Sequence, residues 1–456
     1  MTYLVRTNGT ATSTTTFTIS TWVKRALPAG DQYVFSIANN NGVAPTEHIH
    51  LRFASDKLQS QFYISDSQVG QIETSNLFRD FSAWYNIVFR FDSTQSTAND
   101  RMRLYVNGTE SSLGTQTMPS QSASCAACSG GRFGVSVTYS GTSNPFRGYM
   151  TQFIYADGQS YAPSTFGSTN TNGIWVPNTG PSVTYGNNGF KLDFAGTAPE
   201  AVASGFGADS SGNNNHLATG GEGTNPSTTD TPQNVFCMWN NLANSSMTTL
   251  STGALIATGN TSSNNGNSDG TIAPAGGKWY WEVKYVTAAS SSGTNYPNIG
   301  AYAVDLSRQP KNGGSLSESG YWDNGCSYKP DGSKFTNNST ASYGTAWSAG
   351  DIIGVALDLE NYAIYFSRNG SWQDSGDPTS GASKTGSATN FTTVDGEAFV
   401  PAVSSYNNSV LQTNFGNSPF ALASGNADAN GEGSFEYAVP SGYYALCTNN
   451  LALYGG

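Results

Sequence analysis

The sequence predicts an all-β protein built as two antiparallel β-sandwich (jelly-roll) domains joined by a Gly/Asn/Ser-rich connector. Three observations carry this. Charged residues make up only 11% of the chain while aromatics make up 12%, beside 52 glycines; aromatic and β-branched side chains pack well on a pleated, half-buried surface, whereas helical proteins are richer in Lys, Glu and Leu. Apolar residues recur with period two in runs of strand length, broken by clusters of Gly, Pro, Asn and Asp. The 456 residues are about two to three times the length of a typical domain, so at least two cores are expected.

Along the chain, residues 17–24, 32–37, 48–53 and 58–64 alternate as strands. Residues 84–92 and 101–108 form the sharpest pair of this half, with Asn107-Gly108 supplying the left-handed residues of a tight hairpin turn. These elements place a first domain over 1–166. From 167 to 240 the text is dense in turn signals (177–181, 186–189, 209–215, 220–226), with Phe190 to Phe194 as its one obvious strand. It reads as a connector or a strand contributor. The second domain, 241–456, opens with the strand Lys278 to Tyr285 and centres on a hairpin from Gly350 to Gly370, in which Ile352, Ile353, Val355, Leu357, Leu359, Ile364 and Phe366 are scaffold.

Two families are resembled. Ser20-Thr-Trp-Val-Lys-Arg25, Ala83-Trp-Tyr-Asn-Ile-Val88, Arg103-Leu-Tyr-Val-Asn-Gly108 and Phe146-Arg-Gly-Tyr-Met-Thr-Gln-Phe-Ile-Tyr-Ala-Asp-Gly158 follow the order of the laminin-G-like, concanavalin-A-type jelly roll, with Asn86 where that family often has His. Lys278-Trp-Tyr-Trp-Glu-Val283, the central hairpin, Phe399-Val-Pro-Ala-Val403 and Val410-Leu-Gln-Thr-Asn-Phe-Gly416 resemble the SPRY (B30.2) family of recognition domains. The phrases Phe190-Lys-Leu-Asp-Phe194, Ala208-Asp-Ser-Ser-Gly-Asn-Asn-Asn215 and Asp230-Thr-Pro-Gln-Asn-Val-Phe-Cys237 are similar to connectors between such domains in structural proteins of tailed, particularly marine, bacteriophages.

Composition excludes several classes of function. A net charge of −11 with only 20 Lys and Arg argues against nucleic acid and anionic membrane surfaces. No run approaches the roughly 20 apolar residues of a membrane-spanning helix, and residues 1–6 lack the pattern of a secretory signal. Cys125-Ala-Ala-Cys128 has metal-ligand spacing and His48-Ile-His50 would point both rings to one strand face. Together they would make a two-Cys, two-His zinc set if the fold joined them; otherwise they are a surface-loop Cys pair, free or locally cross-linked, and solvent-facing strand histidines.

No catalytic residues are expected. A glycoside hydrolase needs two carboxylates flanking the scissile bond. Asp351, Asp358 and Glu360 are near one another, yet Asp358 and Glu360 fall in the hairpin turn, where an Asx-type backbone bond is the common use. His48, His50 or His216 would have to serve a Ser-His-Asp set, and no G-x-S-x-G elbow is present. Calcium is the one candidate cofactor: the laminin-G-like resemblance implies an ion at a sandwich edge, and Asp209, Asn213 and Asn215 in one loop and Asp92 and Asp100 in another offer oxygen ligands.

Binding remains, because sandwich domains recognise ligands with end loops or a concave sheet face, using exposed aromatics and amides. The candidate ligand-binding residues are Tyr321, Trp322, Asp323, Asn324, Trp347, Tyr406, Asn407 and Asn408, in expected loops of the second domain, whereas Trp84, Trp279 and Trp281 lie in strands and read as core. The bacteriophage resemblance implies a non-enzymatic protein on the virion exterior, made in the host cytoplasm and released by lysis. It would act as a capsid decoration, head fibre or compact tail appendage, homo-oligomeric, holding other virion proteins and a host glycan or surface protein. The alternatives are a virion-borne glycan depolymerase and a structural cement without a ligand.

Overall fold

The structure is a computed structural model and describes residues 2–28, 30–39, 45–138, 143–221, 227–261, 265–290, 297–304, 325–336, 339–391 and 397–455. The chain divides into two compact units, Met1–Ser227 with Thr231–Gln233, and Thr228–Asp230 with Asn234–Gly456.

The first unit contains β1 (Thr2–Thr7), β2 (Thr16–Arg25), β3 (Gln32–Ala38), β4 (His48–Ala54), β5 (Lys57–Ile64), β6 (Ser67–Thr74), β7 (Trp84–Asp92), β8 (Met102–Val106), β9 (Thr109–Glu110), β10 (Leu113–Thr117), β11 (Arg132–Val135), β12 (Gly148–Asp157), β13 (Gly167–Thr169), β14 (Trp175–Pro177), β15 (Phe190–Leu192) and β16 (Ala218–Gly221). Among the described residues they form an eight-stranded sheet, β10-β6-β5-β4-β3-β11-β1-β16, and a six-stranded sheet, β15-β12-β2-β7-β8-β9, with β13-β14 as a separate hairpin. Period-two alternation sends Ile37, Ile49 and Phe62 from the first sheet and Phe17, Ile19, Phe89 and Phe91 from the second into one core. Phe62 meets Phe91 edge-on at 5.3 Å and Phe35 lies 5.8 Å from Phe89, so aromatic rings join the two layers.

The hairpins follow from local chemistry. Ser55-Asp56 and Ser65-Asp66 both take positive φ at two successive residues, linking β4 to β5 and β5 to β6 by turns whose twist suits a hairpin. Asn107 (φ 48°) and Gly108 (φ 80°) link β8 to β9 as the sequence predicts. Gly108 is fixed twice over, since a Cβ there would also lie 2.5 Å from the Trp175 ring.

Residues 167–221 are part of this unit rather than a connector, which moves its boundary from 166 to about 227. β15 completes the edge beside β12 and β16 the edge beside β1. Val88 and Ile154 on the outer side of the six-stranded sheet need apolar cover, and Phe166, Tyr161, Val183 and Tyr185 supply it. Trp175 Nε1 donates to Asn86 Oδ1 at 3.1 Å. The buried Asp157 carboxylate accepts the N–H groups of Thr12 (2.7 Å), Ser13 (3.2 Å) and Asn188 (3.0 Å), tying the 186–189 turn to the N-terminal loop.

The second unit contains β17 (Thr248–Ser251), β18 (Ile256–Gly259), β19 (Gly266–Asp269), β20 (Lys278–Thr287), β21 (Asn298–Ala303), β22 (Gly325–Tyr328), β23 (Ser333–Thr336), β24 (Ser339–Ser342), β25 (Ile352–Asp358), β26 (Ala363–Arg368), β27 (Ser371–Trp372), β28 (Thr389–Asn390), β29 (Phe399–Ser405), β30 (Val410–Asn414), β31 (Tyr444–Ala445) and the short helix α1 (Thr448–Tyr454). One described sheet runs β17-β18-β30-β20-β25-β26-β27, with β28 beside β26 and β31 beside β20; the other runs β19-β29-β21-β22-β23-β24. The nearly all-β, two-sandwich architecture therefore stands as predicted, and all seven scaffold side chains of the β25–β26 hairpin are buried. Trp279 and Trp281 are fully buried and Trp84 nearly so.

One side of β20 is covered by the C-terminal segment, where Tyr280 packs with Phe435, Tyr443 and Ala445. Glu282 lies at the centre of that cover, fully buried. Its Oε1 accepts from Tyr280 Oη (3.0 Å) and the Tyr437 N–H (2.8 Å), and its Oε2 from the Glu436 N–H (2.9 Å) and Asn414 Nδ2 (3.4 Å). Burial pushes its carboxyl above the usual carboxylate range, against these four donors, which favour the charged form.

Glu282→Ala orphans two backbone N–H groups and is expected to cost about 3 kcal/mol or more of unfolding free energy in urea titrations. Glu282→Gln keeps one acceptor oxygen and should cost clearly less; equal losses would show that the acceptor role is not what matters.

Candidate binding site

The loop residues expected to bind ligand in the second unit turn out to be scaffold where they are described. Trp347 is only 3% exposed. Its ring fills the rim between Tyr285, edge-on at 5.1 Å, and Tyr328 at 6.1 Å, which corrects its reading as an exposed loop aromatic. Tyr406 is buried too. Asn407 (φ 38°) and Asn408 (φ 65°) form the left-handed turn between β29 and β30 and are half-buried. The Asn408 N–H donates to Asn260 O at 3.1 Å, Asn408 Nδ2 to Ser290 Oγ at 3.1 Å, and the Ser290 N–H to Asn407 O at 2.9 Å, so this trio braces neighbouring loops. Tyr321, Trp322, Asp323 and Asn324 lie outside the described residues.

The carboxylates singled out for chemistry or calcium are held by N–H donors. Asp358 Oδ1 accepts the N–H groups of Glu360 (3.0 Å) and Asn361 (2.9 Å), which is the turn role expected for it, and Lys278 Nζ sits 3.2 Å from Oδ2. Asp351 accepts from the Ser348 N–H, Asn369 Nδ2 and Arg368 Nε. Burial raises its pKa, but those donors outweigh it and hold the carboxyl below the usual range.

Neither proposed calcium set fits a calcium cage. Asp209 gives Oδ1 to the N–H groups of Lys191 and Ser211 and Oδ2 to that of Asn215, while Asn213 and Asn215 turn their Nδ2 groups toward backbone carbonyls. The positive charge at this loop belongs to Arg6, whose Nη2 donates to Asn215 Oδ1 at 2.7 Å. Asp92 accepts from Thr94 and Gln95, and Asp100 is paired with Arg103. A calcium ion needs six to eight converging oxygens, and here the oxygens are spent on donors. The zinc arrangement fails for a similar reason. Cys125 and Cys128 are bonded to each other and buried rather than in a surface loop.

His48 and His50 lie on the outer side of β4 but are buried, not solvent-facing. Their rings stack 5.6 Å apart, with Tyr63 4.4 Å from His48 and Tyr33 5.0 Å from His50. Burial lowers His48 to about 4, against a hydrogen bond to the Pro45 backbone and the charge of Asp66. His50 is held well below the usual imidazole value by burial, then by the charges of His48 and Arg52.

Beside them the outer side of the eight-stranded sheet carries three cross-strand rows. Ser36, His50, Gln61, Gln71 and Thr117 face one another in register; Tyr33, Arg52, Gln59, Glu73 and Thr115 form the next row, and Ala38, His48, Tyr63 and Gln68 the third. A register shift opposite Phe62 and Tyr63 makes Val69 a bulge, which places Gln68 and Gln71 on the same side although they are three apart in sequence. Gln68 Nε2 donates to Gln71 Oε1 at 2.7 Å, while Gln68 Oε1 accepts from Tyr63 Oη at 2.9 Å and Gln61 Nε2 at 3.2 Å. In the adjacent row Arg52 binds Asp31 (2.7 Å) and Gln59 (3.0 and 2.7 Å), Gln59 Nε2 binds Glu73 (2.8 Å), and Lys57 binds Glu73 (3.0 Å). Gln68 is exposed, and Gln61, Tyr63 and Gln71 are half-buried. Their signal in the sequence is the text Gln59-Ser-Gln-Phe-Tyr63 followed, after a Ser-Asp turn, by Gln68-Val-Gly-Gln71, in which no candidate site residue was expected.

Comparison with known proteins agrees with this architecture. Residues 2–154 match the Laminin_G_3 family, described as the concanavalin A-like lectin/glucanases superfamily, and residues 278–418 match the SPRY domain family. The chain thus carries a concanavalin A-like domain followed by a SPRY domain. No curated protein matches it. Among solved structures, the SPRY domain of human HERC1 is similar at 15% identity over 38% of this chain and 96% of that chain, with a TM-score of 0.29. Stonustoxin is similar at 18% identity over 39% of this chain, with a TM-score of 0.29, and the match spans only 27% of the stonustoxin chain.

The histidine pair sets a pH dependence. Unfolded His48 binds a proton near 6.5 and folded His48 only near 4, so below pH 6.5 the unfolded state holds more protons and stability falls as pH drops toward 4. The first unit is expected to lose on the order of 2 kcal/mol across that window. His48→Gln should flatten the melting-temperature profile between pH 6.5 and 4, and an unchanged slope would rule His48 out as its source.

Proposed function

We propose that this chain is a non-enzymatic binding protein on the exterior of a tailed-bacteriophage virion. It serves as a capsid decoration, head fibre or compact tail appendage that docks on virion neighbours and adheres to the host surface. The observation that carries the binding role is the outer side of β4, β5 and β6. There polar side chains are fixed in place by their own hydrogen bonds yet remain partly open to solvent, which lowers the ordering cost of taking a ligand. The carboxylates that a hydrolase of this fold would draw on are committed instead to turns and loops. Both domain types are binding-type sandwiches, and function lives in the sites a fold carries rather than in the fold. The virion assignment is supported by the resemblance of the phrases at 190–194, 208–215 and 230–237 to segments of phage structural proteins.

Electron microscopy of purified particles labelled with an antibody against the chain is expected to decorate the capsid or tail exterior, and the purified protein is expected to adhere to host cells without releasing reducing sugar from them. Absence from the particle removes the virion role. Turnover abolished by Asp358→Asn or Glu360→Gln would replace the binding reading with a depolymerase.

A further inference from the structure

We propose that the Cys125–Cys128 disulfide is a redox-sensitive clasp, which fixes the 8–14 loop and the 186–189 turn when it is closed and releases them when a thiol opens it. The hydrogen bonds around the bond carry this. The Cys125 N–H donates to Thr14 O at 2.7 Å, and Cys128 O accepts from both Asn8 Nδ2 (3.2 Å) and Asn188 Nδ2 (3.1 Å). Just beyond, Ser129 Oγ accepts the Ala11 N–H at 3.2 Å and the Gly130 N–H donates to Gly9 O at 3.0 Å. Asn188 Oδ1 accepts the Gly9 N–H at 2.8 Å, and the Asn188 N–H meets the same Asp157 carboxylate that holds Thr12 and Ser13. One short turn thus grips two segments that lie far from it in sequence.

Opening the bond disturbs that grip. Both cysteines are fully buried in the core of the first unit, and once unbonded their sulfurs must part to van der Waals separation inside a close-packed interior. The turn cannot retreat toward β3, because a Cβ at Gly131 would already lie 2.2 Å from Ala127 O and 2.5 Å from Ala38 O. It therefore widens outward, and carries with it the N–H and the carbonyl that hold Thr14, Asn8 and Asn188. Ser124, Ala126 and Gly130 are exposed, so local opening of this loop lets a reagent reach the bond without unfolding of the unit. In the exchange a thiolate of a dithiol attacks one cysteine sulfur, the Cys125–Cys128 bond breaks as a mixed disulfide forms, and the other cysteine leaves as thiolate and takes up a proton. The reagent's second thiolate then closes its own disulfide and releases the first cysteine, so that two electrons and two protons pass from the dithiol to the protein. Closing runs the other way, with a small-molecule disulfide as oxidant. A chain made in a reducing cytoplasm and released by lysis, as the virion reading has it, closes the clasp on release.

The test uses the purified full chain, held either in dithiothreitol or in glutathione disulfide. After removal of the reagent, alkylation in denaturant followed by mass measurement is expected to count five thiols in the first case and three in the second, since Cys237, Cys326 and Cys447 are free. By hydrogen exchange in native buffer, the amides of Gly9, Thr12, Ser13 and Asn188 are expected to exchange about tenfold or more faster in the reduced chain, with those of β25 and β26 unchanged. Cys125→Ala/Cys128→Ala should exchange at one rate in both buffers. Equal exchange in the two redox states, a bond that opens only when the whole unit unfolds, or a redox difference that survives in the double variant overturns the proposal. Absence of the chain from particles removes the virion role and leaves the clasp standing, whereas failure of the clasp leaves the virion role untouched.

Discussion

Both units depend on one kind of interaction, a buried carboxylate that accepts backbone N–H groups from loops and short strands. Asp157 does this for the 12–13 and 186–189 loops, Asp209 for residues 191, 211 and 215, and Glu282 for residues 436 and 437. Asp428 does it for Asn430, Glu432 and Ala445, and so anchors the segment that leads into α1. A chain with so many residues in loops has many N–H groups to satisfy away from water. A charged acceptor makes stronger hydrogen bonds than a neutral one and can take several donors at once. The donors that surround each carboxylate oppose the cost of burying it, and removing the carboxylate would leave several buried donors without an acceptor.

This explains why acidic residues that look functional in the sequence are structural. Asp209, Asn213 and Asn215 lie close together, as a cation loop would require, but the loop is closed by N–H groups and the Arg6 guanidinium in place of an ion. Asp358 and Glu360 sit beside Lys278, and Asp358 is turned inward to hold the hairpin while Glu360 points to solvent. Spacing in sequence shows that oxygens converge, and it cannot show whether they converge on a metal or on the backbone.

The strands were legible because period-two alternation and turn residues are local: the β25–β26 hairpin, the Asn107-Gly108 turn and the burial of Trp279 and Trp281 all follow from neighbours within a few positions. The fate of residues 167–221 was legible only in part: Phe190 to Phe194 reads as a strand and forms β15, but the partners of β15 and β16, β12 and β1, lie far away in the chain. Trp347 and Tyr406 were misread for the same reason. An aromatic in a loop has no periodicity to reveal which way it turns, and these two turn inward onto rings supplied by other strands or into a tight turn. The glutamine surface was half-visible: Gln59 and Gln61 alternate, but Gln68 and Gln71 share a side only because of the bulge at Val69.

The 167–221 segment also bears on which surface of the first unit is free to recognise anything. A two-layer sandwich has two outer sides, and in this unit one of them carries Val88, Tyr105 and Ile154 under the cover of Phe166, Tyr161, Val183 and Tyr185, with Trp175 fixed to Asn86 at its side. That side is consumed by the chain itself. The other side carries polar side chains on β4, β5 and β6 that hydrogen-bond laterally across the strands and leave Gln61, Tyr63, Gln68 and Gln71 in contact with solvent. An apolar side that recruits its own cover and a polar side held rigid without one are complementary solutions to the same problem. The rigidity of the second comes from the lateral hydrogen bonds and from the stacked His48 and Tyr63 rings beneath it. The His48 ring is buried and its pKa lowered to about 4, so it packs uncharged at neutral pH against the half-buried Tyr63 ring.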